Sequence, residues 1–132
     1  MAIPAGIAAA IAGLALLLSL GRASATPDLT IKHEDCPGST YGGGTLYAAS
    51  VAFILDDMMT TTSSFRNYDR TTQSGKYPTA YGHATCSTNL SPSDCATCLF
   101  AAKTLVGYHC GNKITAKMEL QDCSLAYDKN PL

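Results

Sequence analysis

The chain lacks the short motifs that are typical of common enzyme classes. It contains no G-x-S-x-G nucleophile elbow, no H-E-x-x-H zinc helix, and no glycine-rich phosphate loop ending in Lys-Ser or Lys-Thr. The adjacent carboxylates Asp56 and Asp57 do not form an acid–base catalytic pair, because neighbouring helical residues point in different directions and cannot share a proton. We therefore expect no enzymatic activity, no catalytic residues and no cofactor. The protein is expected to act by binding.

A strong charge of either sign is also missing. The chain contains nine Lys or Arg residues and ten Asp or Glu residues, so its formal net charge at pH 7 is −1. A chain this close to neutrality does not capture nucleic acid or an anionic membrane by broad electrostatic attraction. No nucleic-acid partner is expected.

Residues 1–25 have the pattern of a secretory signal peptide. The chain is almost wholly apolar from Ile7 to Leu20, and Ala23-Ser24-Ala25 matches an A-x-A cleavage site. No Lys or Arg precedes the apolar run, so an uncleaved membrane anchor is the alternative, although the run is short for a full span. We expect cleavage before Thr26, a secreted domain over residues 26–132, and no stable membrane insertion afterwards.

All six cysteines follow the predicted cleavage site. An even number of cysteines in a secreted domain of this size predicts three disulfides, and fifteen pairings are possible. A redox pair formed by Cys95 and Cys98 is an alternative, but it would leave Cys86 and Cys123 without partners. A zinc site with His83 or His109 is another, but neither histidine has ligand spacing from the CxxC pair, and we expect no metal.

Two segments have helical patterns. The first runs from Thr45 to about Thr61 and places on one face Tyr47, Val51, Ile54, Leu55 and Met58. The second runs from Ser91 to about Val106. Ser91 is its N-cap, Pro92 takes the first helical position, and Asp94 faces the positive helix end. Gly107 is the expected C-cap.

The remaining apolar alternations predict strands. Thr26 to Cys36 reads as a half-buried strand through Leu29 and Ile31, and Tyr81 to Cys86 as a second. Residues 64–80 are expected to form a long loop with a short strand. Two more strands cover residues 114–118 and 123–127 and can form a hairpin. The order of elements predicts an α+β fold, a small antiparallel sheet with two helices on one face.

One stretch carries a family resemblance. The C-x8-C-x2-C spacing of Cys86, Cys95 and Cys98, preceded by residues 81–85 (YGHAT), resembles the ginkbilobin-type antifungal domain of plants. The same module occurs in tandem in cysteine-rich receptor-like kinases and plasmodesmata-located proteins. The resemblance implies a five-stranded antiparallel sheet with two helices. It also implies the disulfides Cys36–Cys110, Cys86–Cys95 and Cys98–Cys123.

The resemblance also implies a ligand site. Founding members of the family are secreted lectins that bind mannose and inhibit fungal growth, through an Asn, an Arg and a Glu. The equivalent positions in this chain are Pro37, Lys117 and Asp128. Lys supplies a point charge where Arg supplies a planar fork, and Pro lacks both a side-chain amide and a backbone N–H. These three residues are therefore predicted to form a degenerate mannose-type site.

Two functions follow from the resemblance. The first is an antifungal defence protein of the plant apoplast that binds mannose or a fungal cell-wall glycan. The second is an apoplastic interaction or signalling module that contacts the ectodomains of receptor-like kinases, with a decayed sugar site. Both place the protein outside the cell.

Overall fold

Two helices pack against one face of a five-stranded antiparallel sheet in residues 26–132, the part of the chain that the computed structural model describes. The predicted fold class is confirmed, whereas the predicted signal peptide lies outside the described residues. The elements in chain order are β1 (Ile31–Asp35), α1 (Leu46–Thr61), β2 (Asp69–Ser74), β3 (Ala80–Cys86), α2 (Pro92–His109), β4 (Ala116–Leu120) and β5 (Cys123–Asp128). Over residues 26–132, no helix combines the length and apolar character needed to cross a membrane.

The sheet has the strand order β1-β4-β5-β3-β2. In β3, β4 and β5 every second residue is buried, because these residues face the helices. Helix α1 lies over β2 and β3, and α2 lies over β4 and β5. Among residues 26–132, no helix covers the opposite face of the sheet, and we call this face the outer face.

Helix α1 begins where the sequence predicts. Its N-cap is Thr45, whose hydroxyl accepts a hydrogen bond from the backbone N–H of Ala48 at 3.2 Å. The predicted apolar stripe is buried apart from the partly exposed Leu55. The helix packs closely on β3 at Gly82, where an added Cβ would lie 3.0 Å from the side chain of Met58 and 3.2 Å from Ile54. The missing side chain at this position therefore lets helix and sheet touch.

Helix α2 starts as predicted but ends later. The Ser91 hydroxyl accepts a hydrogen bond from the backbone N–H of Asp94 at 3.2 Å, and Pro92 is the first helical residue. The prediction that Gly107 caps the C-terminus is wrong, because the helix continues through this glycine to His109. The left-handed backbone that commonly follows a helix is found instead at Gly111, with φ of 56°.

Three disulfides join these elements. The structure pairs Cys36 with Cys110, Cys86 with Cys95, and Cys98 with Cys123, the same pairs that the family resemblance implies. They connect β1 to the end of α2, the end of β3 to the first turn of α2, and α2 to β5. Cys95 and Cys98 are bonded to different partners, so the CxxC segment is not a redox pair in this structure.

Two strand predictions need correction. The first strand begins at Ile31 rather than Thr26, so Leu29 lies before it, and all five strand residues are exposed, with Ile31 at 39%. It is the edge strand beside β4, so burial of its apolar side chains does not follow from their alternation. The strand predicted over residues 114–118 lies two residues later, as β4. The short strand predicted within the long loop over residues 64–80 is present as β2, which pairs with β3 from Asp69 to Ser74.

Candidate functional site

Lys117 and Asp128 lie on the outer face near one end of the sheet. Lys117 is directly opposite Ala126 on β5, and Asp128 follows two residues later, so both side chains project from the same face. The Lys117 side chain is 52% exposed, and Asp128 is half-buried. The sheet register therefore brings together two residues that are eleven positions apart in the chain.

Pro37 belongs to the same corner of the molecule. It follows β1, and the loop after it runs beside the segment that enters β4. The backbone N–H of Ile114 donates to the Ser39 carbonyl at 2.9 Å, and the ammonium of Lys113 donates to the Gly38 carbonyl at 3.1 Å. In the sheet, β4 lies between β1 and β5, so the loop that follows β1 and the end of β5 flank the start of β4. We call Pro37, Lys117 and Asp128 the corner site.

The carboxylate of Asp128 is held at one oxygen. Its Oδ1 accepts hydrogen bonds from the Thr115 hydroxyl at 2.8 Å and from the backbone N–H of Lys129 at 2.7 Å. Oδ2 has no hydrogen-bond donor among the residues that the structure covers. The side chain thus has a fixed orientation and an oxygen available to accept hydrogen bonds from a ligand.

Lys117 interacts along its own strand and not with Asp128. Its ammonium lies 3.8 Å from Oε2 of Glu119, while Oε1 of the same carboxylate lies 3.5 Å from the ammonium of Lys32. All three side chains are substantially exposed, so these contacts are weak and a ligand can displace them. The Lys117 ammonium therefore remains available as a hydrogen-bond donor.

Buried tyrosines support the backbone beneath the corner site. The Tyr47 hydroxyl donates to the carbonyl of Ile114 at 2.7 Å, and the Tyr127 hydroxyl donates to the carbonyl of Lys113 at 2.6 Å. The ring of Tyr41 stands edge-on to that of Tyr47, with centroids 5.3 Å apart. These contacts fix the two residues that precede Thr115.

The same tyrosines resist ionisation. Burial, and secondarily the nearby charge of Asp128, raises the pKa of Tyr47 to about 12. Burial also raises the pKa of Tyr127 and the pKa of Tyr41 above the ordinary phenol value. All three therefore remain neutral hydrogen-bonding groups at physiological pH.

Sequence reasoning missed the supporting residues. Thr115, Tyr47 and Tyr127 contact the corner site or the turn beneath it, yet they come from three different parts of the chain. The abundance of tyrosine, seven in 132 residues, was the available signal. It did not indicate which rings converge, because that depends on how α1 packs on the sheet.

No metal arrangement accompanies the corner site. Within residues 26–132, no three His, Cys, Asp or Glu side chains come together in a way that could hold a metal ion. His83 pairs instead with Asp69 at 2.8 Å, and His109 pairs with Glu34.

Comparison with known proteins identifies the family. Residues 35–130 match the family model described as salt stress response/antifungal. The chain is 34% identical to antifungal protein ginkbilobin-2 from Ginkgo biloba over 97 residues, which cover 71% of this chain and 72% of the relative. It is 29% identical to antifungal protein ginkbilobin-like protein 1 from Picea glauca over 120 residues, covering 89% and 84%.

Solved structures extend the comparison to receptor-like proteins. The tandem DUF26 ectodomain of the Arabidopsis thaliana cysteine-rich receptor-like protein PDLP5 superposes with a TM-score of 0.67 at 26% identity, over 76% of this chain and 51% of that ectodomain. The corresponding PDLP8 ectodomain superposes with a TM-score of 0.66 at 24% identity, over 77% and 46%, so the chain spans about half of either ectodomain. The family match, the sequence identities, the shared fold and the three disulfides agree, and the chain therefore belongs to the salt stress response/antifungal family as a ginkbilobin-type domain.

Proposed function

We propose that the protein is a secreted plant defence protein that inhibits fungal growth by binding mannose-type carbohydrate at the corner site. The antifungal names of its relatives from Ginkgo and Picea support the defence role. Three disulfides in a domain of this size support an extracellular location, because such bonds persist in oxidising compartments. The apoplast is the compartment in which such a plant protein would meet a fungus.

The observation that carries the sugar-binding proposal is the environment of Asp128. One carboxylate oxygen is fixed by two donors, and the other accepts no hydrogen bond from the part of the chain that the structure describes. A carboxylate held in this way accepts hydrogen bonds from adjacent hydroxyls of a hexose, and Lys117 donates to a hydroxyl or ring oxygen. Pro37 offers only an apolar surface at the third position. Binding is therefore carried by two side chains.

Such a site binds a single sugar weakly. Lys117 makes one directional contact where a guanidinium would make two, and Pro37 contributes neither a hydrogen-bond donor nor a polar side chain. Several linked copies of the protein would bind a fungal surface that presents many sugar ends more tightly than one copy binds one sugar, because of avidity.

Calorimetric titration of mannose and mannan tests the proposal. Asp128→Ala should abolish measurable binding, because it removes the free acceptor oxygen. Asp56→Ala is a matched control, since Asp56 is an exposed carboxylate on α1, away from the outer face. Equal binding by the wild type and Asp128→Ala would exclude the corner site as the sugar site.

A growth assay separates the antifungal role from sugar binding. A fungus is grown with the protein in the presence and absence of excess mannose. Relief of inhibition by mannose supports a lectin mechanism. Inhibition that mannose leaves unchanged would remove the lectin mechanism and keep the antifungal role.

A second function is favoured by the departures at Pro37 and Lys117 together with the similarity to receptor-like ectodomains. In this alternative the domain is an apoplastic interaction module that contacts the ectodomain of a receptor-like kinase, and the sugar site is inactive. A silent glycan array together with direct binding of a purified receptor ectodomain would support it. Specific glycan binding that Asp128→Ala abolishes would argue against it.

A further inference from the structure

A groove with both polar and apolar walls continues from the corner site along the outer face. Two depressions, of about 420 Å³ and about 270 Å³, adjoin each other and share Glu119 and Ser124 in their walls. The larger one includes Lys117 and Ala126 next to the corner site. The smaller one extends to Ser87 and to the turn between β4 and β5. We call the two together the outer groove.

The outer groove is long compared with one sugar ring. Its axis follows β5, where the lining residues Ala126 and Asp122 are four residues apart, a length of about 14 Å at about 3.4 Å per residue. This length is several times the width of a hexose. A single mannose at the corner site would leave most of the groove empty.

Both donors and acceptors line the groove. The hydroxyls of Thr85 and Ser124 lie 2.9 Å apart across β3 and β5, and each keeps further hydrogen-bonding capacity. The carboxylate of Glu119 lies between the ammonium groups of Lys32 and Lys117. Groups of this kind suit a ligand that carries many hydroxyls.

The charge of the groove favours a neutral ligand. Both lysines face the same carboxylate, and Asp122 accepts a hydrogen bond from the backbone N–H of Asp28 at 2.7 Å. Among the described residues, the charges of the two lysines are therefore balanced by Glu119 and Asp122, which does not favour an anionic polymer. The methyl of Ala126 and the side chain of Leu132 supply an apolar patch for the C–H face of a pyranose ring.

We propose that the outer groove binds a linear neutral oligosaccharide of several hexose units, whose end occupies the corner site. This inference rests on the proposed function, because the corner site must hold the first sugar. The protein would then recognise the terminal hexose of a cell-wall polysaccharide together with the hexoses that follow it.

A ligand-length series tests the outer groove. Methyl α-mannoside and linear mannotetraose are titrated into the wild type by calorimetry and by NMR of the backbone amides. The tetrasaccharide should bind on the order of 10-fold more tightly, because it adds several polar contacts to the same first sugar. Amide shifts should extend from Lys117 and Asp128 to Thr85, Ser124 and Gln121 only with the tetrasaccharide.

A double variant removes hydroxyls from the groove without leaving either one unpaired. Thr85→Val with Ser124→Ala should lower the ratio of the two affinities from about 10 to about 1. Thr104→Val is the control, since this exposed threonine lies on α2, away from the outer face. An unchanged ratio in the double variant would overturn the groove proposal.

The outcomes separate the two proposals. Equal affinity for both sugars, with shifts confined to the corner site, refutes the outer groove and keeps the proposed function. Failure of both sugars to bind refutes both and favours the interaction module. A length-dependent affinity that the double variant removes supports both.

Discussion

The hydroxyl of Thr115 donates a hydrogen bond of 2.8 Å to Oδ1 of Asp128. This contact joins the segment before β4 to the end of β5 and sets the direction of the carboxylate in the corner site. We expect Thr115→Val to weaken mannose binding about 5-fold, corresponding to the loss of about 1 kcal/mol for one hydrogen bond. Calorimetry measures the affinity, and Thr115→Ser should restore it. Wild-type affinity in Thr115→Val would show that the contact does not position Asp128.

The buried tyrosines predict a loss of stability at alkaline pH. The pKa of Tyr47 in the folded protein is about 12, above the value of about 10 in an unfolded chain. As the pH rises through this interval, the unfolded state releases its proton first, so the free energy of unfolding falls. The stabilisation is complete below pH 10 and is lost towards pH 12. Urea unfolding at pH 7, 9 and 11 measures this dependence.

A Tyr47→Phe variant separates the hydrogen bond from the ionisation. It should be about 1 kcal/mol less stable than the wild type at pH 7, because the carbonyl of Ile114 loses its phenol donor. It should also lose less stability between pH 7 and pH 11. Tyr108→Phe changes an 88% exposed ring and serves as the control. An unchanged pH dependence in Tyr47→Phe would contradict the assignment.

The disulfides predict a graded effect on stability. Replacing Cys36 and Cys110 by Ala opens a loop with a sequence separation of 74, for which chain entropy gives a loss of about 4.5 kcal/mol. Replacing Cys86 and Cys95 opens a separation of 9, with a loss of about 2.6 kcal/mol. Urea unfolding of the two double variants tests the order. The reverse order would show that local packing around Cys86 outweighs loop entropy.

Two glycine substitutions should have opposite effects. Gly82→Ala places a methyl against Met58 and Ile54 and should destabilise the protein by about 1 kcal/mol, since the end of Met58 can move aside. Gly107→Ala lies in the exposed part of α2 with no atom near its added Cβ, and should stabilise by about 0.5–1 kcal/mol. Thermal unfolding distinguishes the two signs. Destabilisation by Gly107→Ala would mean that α2 does not extend to His109.

Local sequence signals predicted the parts of the fold that local physics controls. The cap at Ser91 and Pro92 marked the start of α2, because a side-chain acceptor and a preset φ act within one turn. The alternation in residues 123–127 marked β5, because burial on one face of a sheet has a period of two. The predicted end of α2 was wrong. The packing of α2 on β4 and β5 outweighs the low helix propensity of Gly107, so the helix continues past this glycine.

The candidate site was predictable only in part. Pro37, Lys117 and Asp128 came from family resemblance, and spacing in the chain does not reveal that they meet at one corner. Thr115 was missed because its role depends on the register of β4 against β5. The outer groove was missed because it is formed by four strands whose order differs from their order in the chain.

The amino-acid sequence by itself determined the cysteine pattern, the capped helices, the alternating strands and the absence of a strong net charge, because each depends on neighbours within a few residues or on composition. Only the tertiary structure decided that β1 is an exposed edge, that β2 is a complete strand, and that three tyrosines support the turn beneath Asp128. Those outcomes depend on contacts between residues distant in the chain, which exist only after the helices have packed on the sheet.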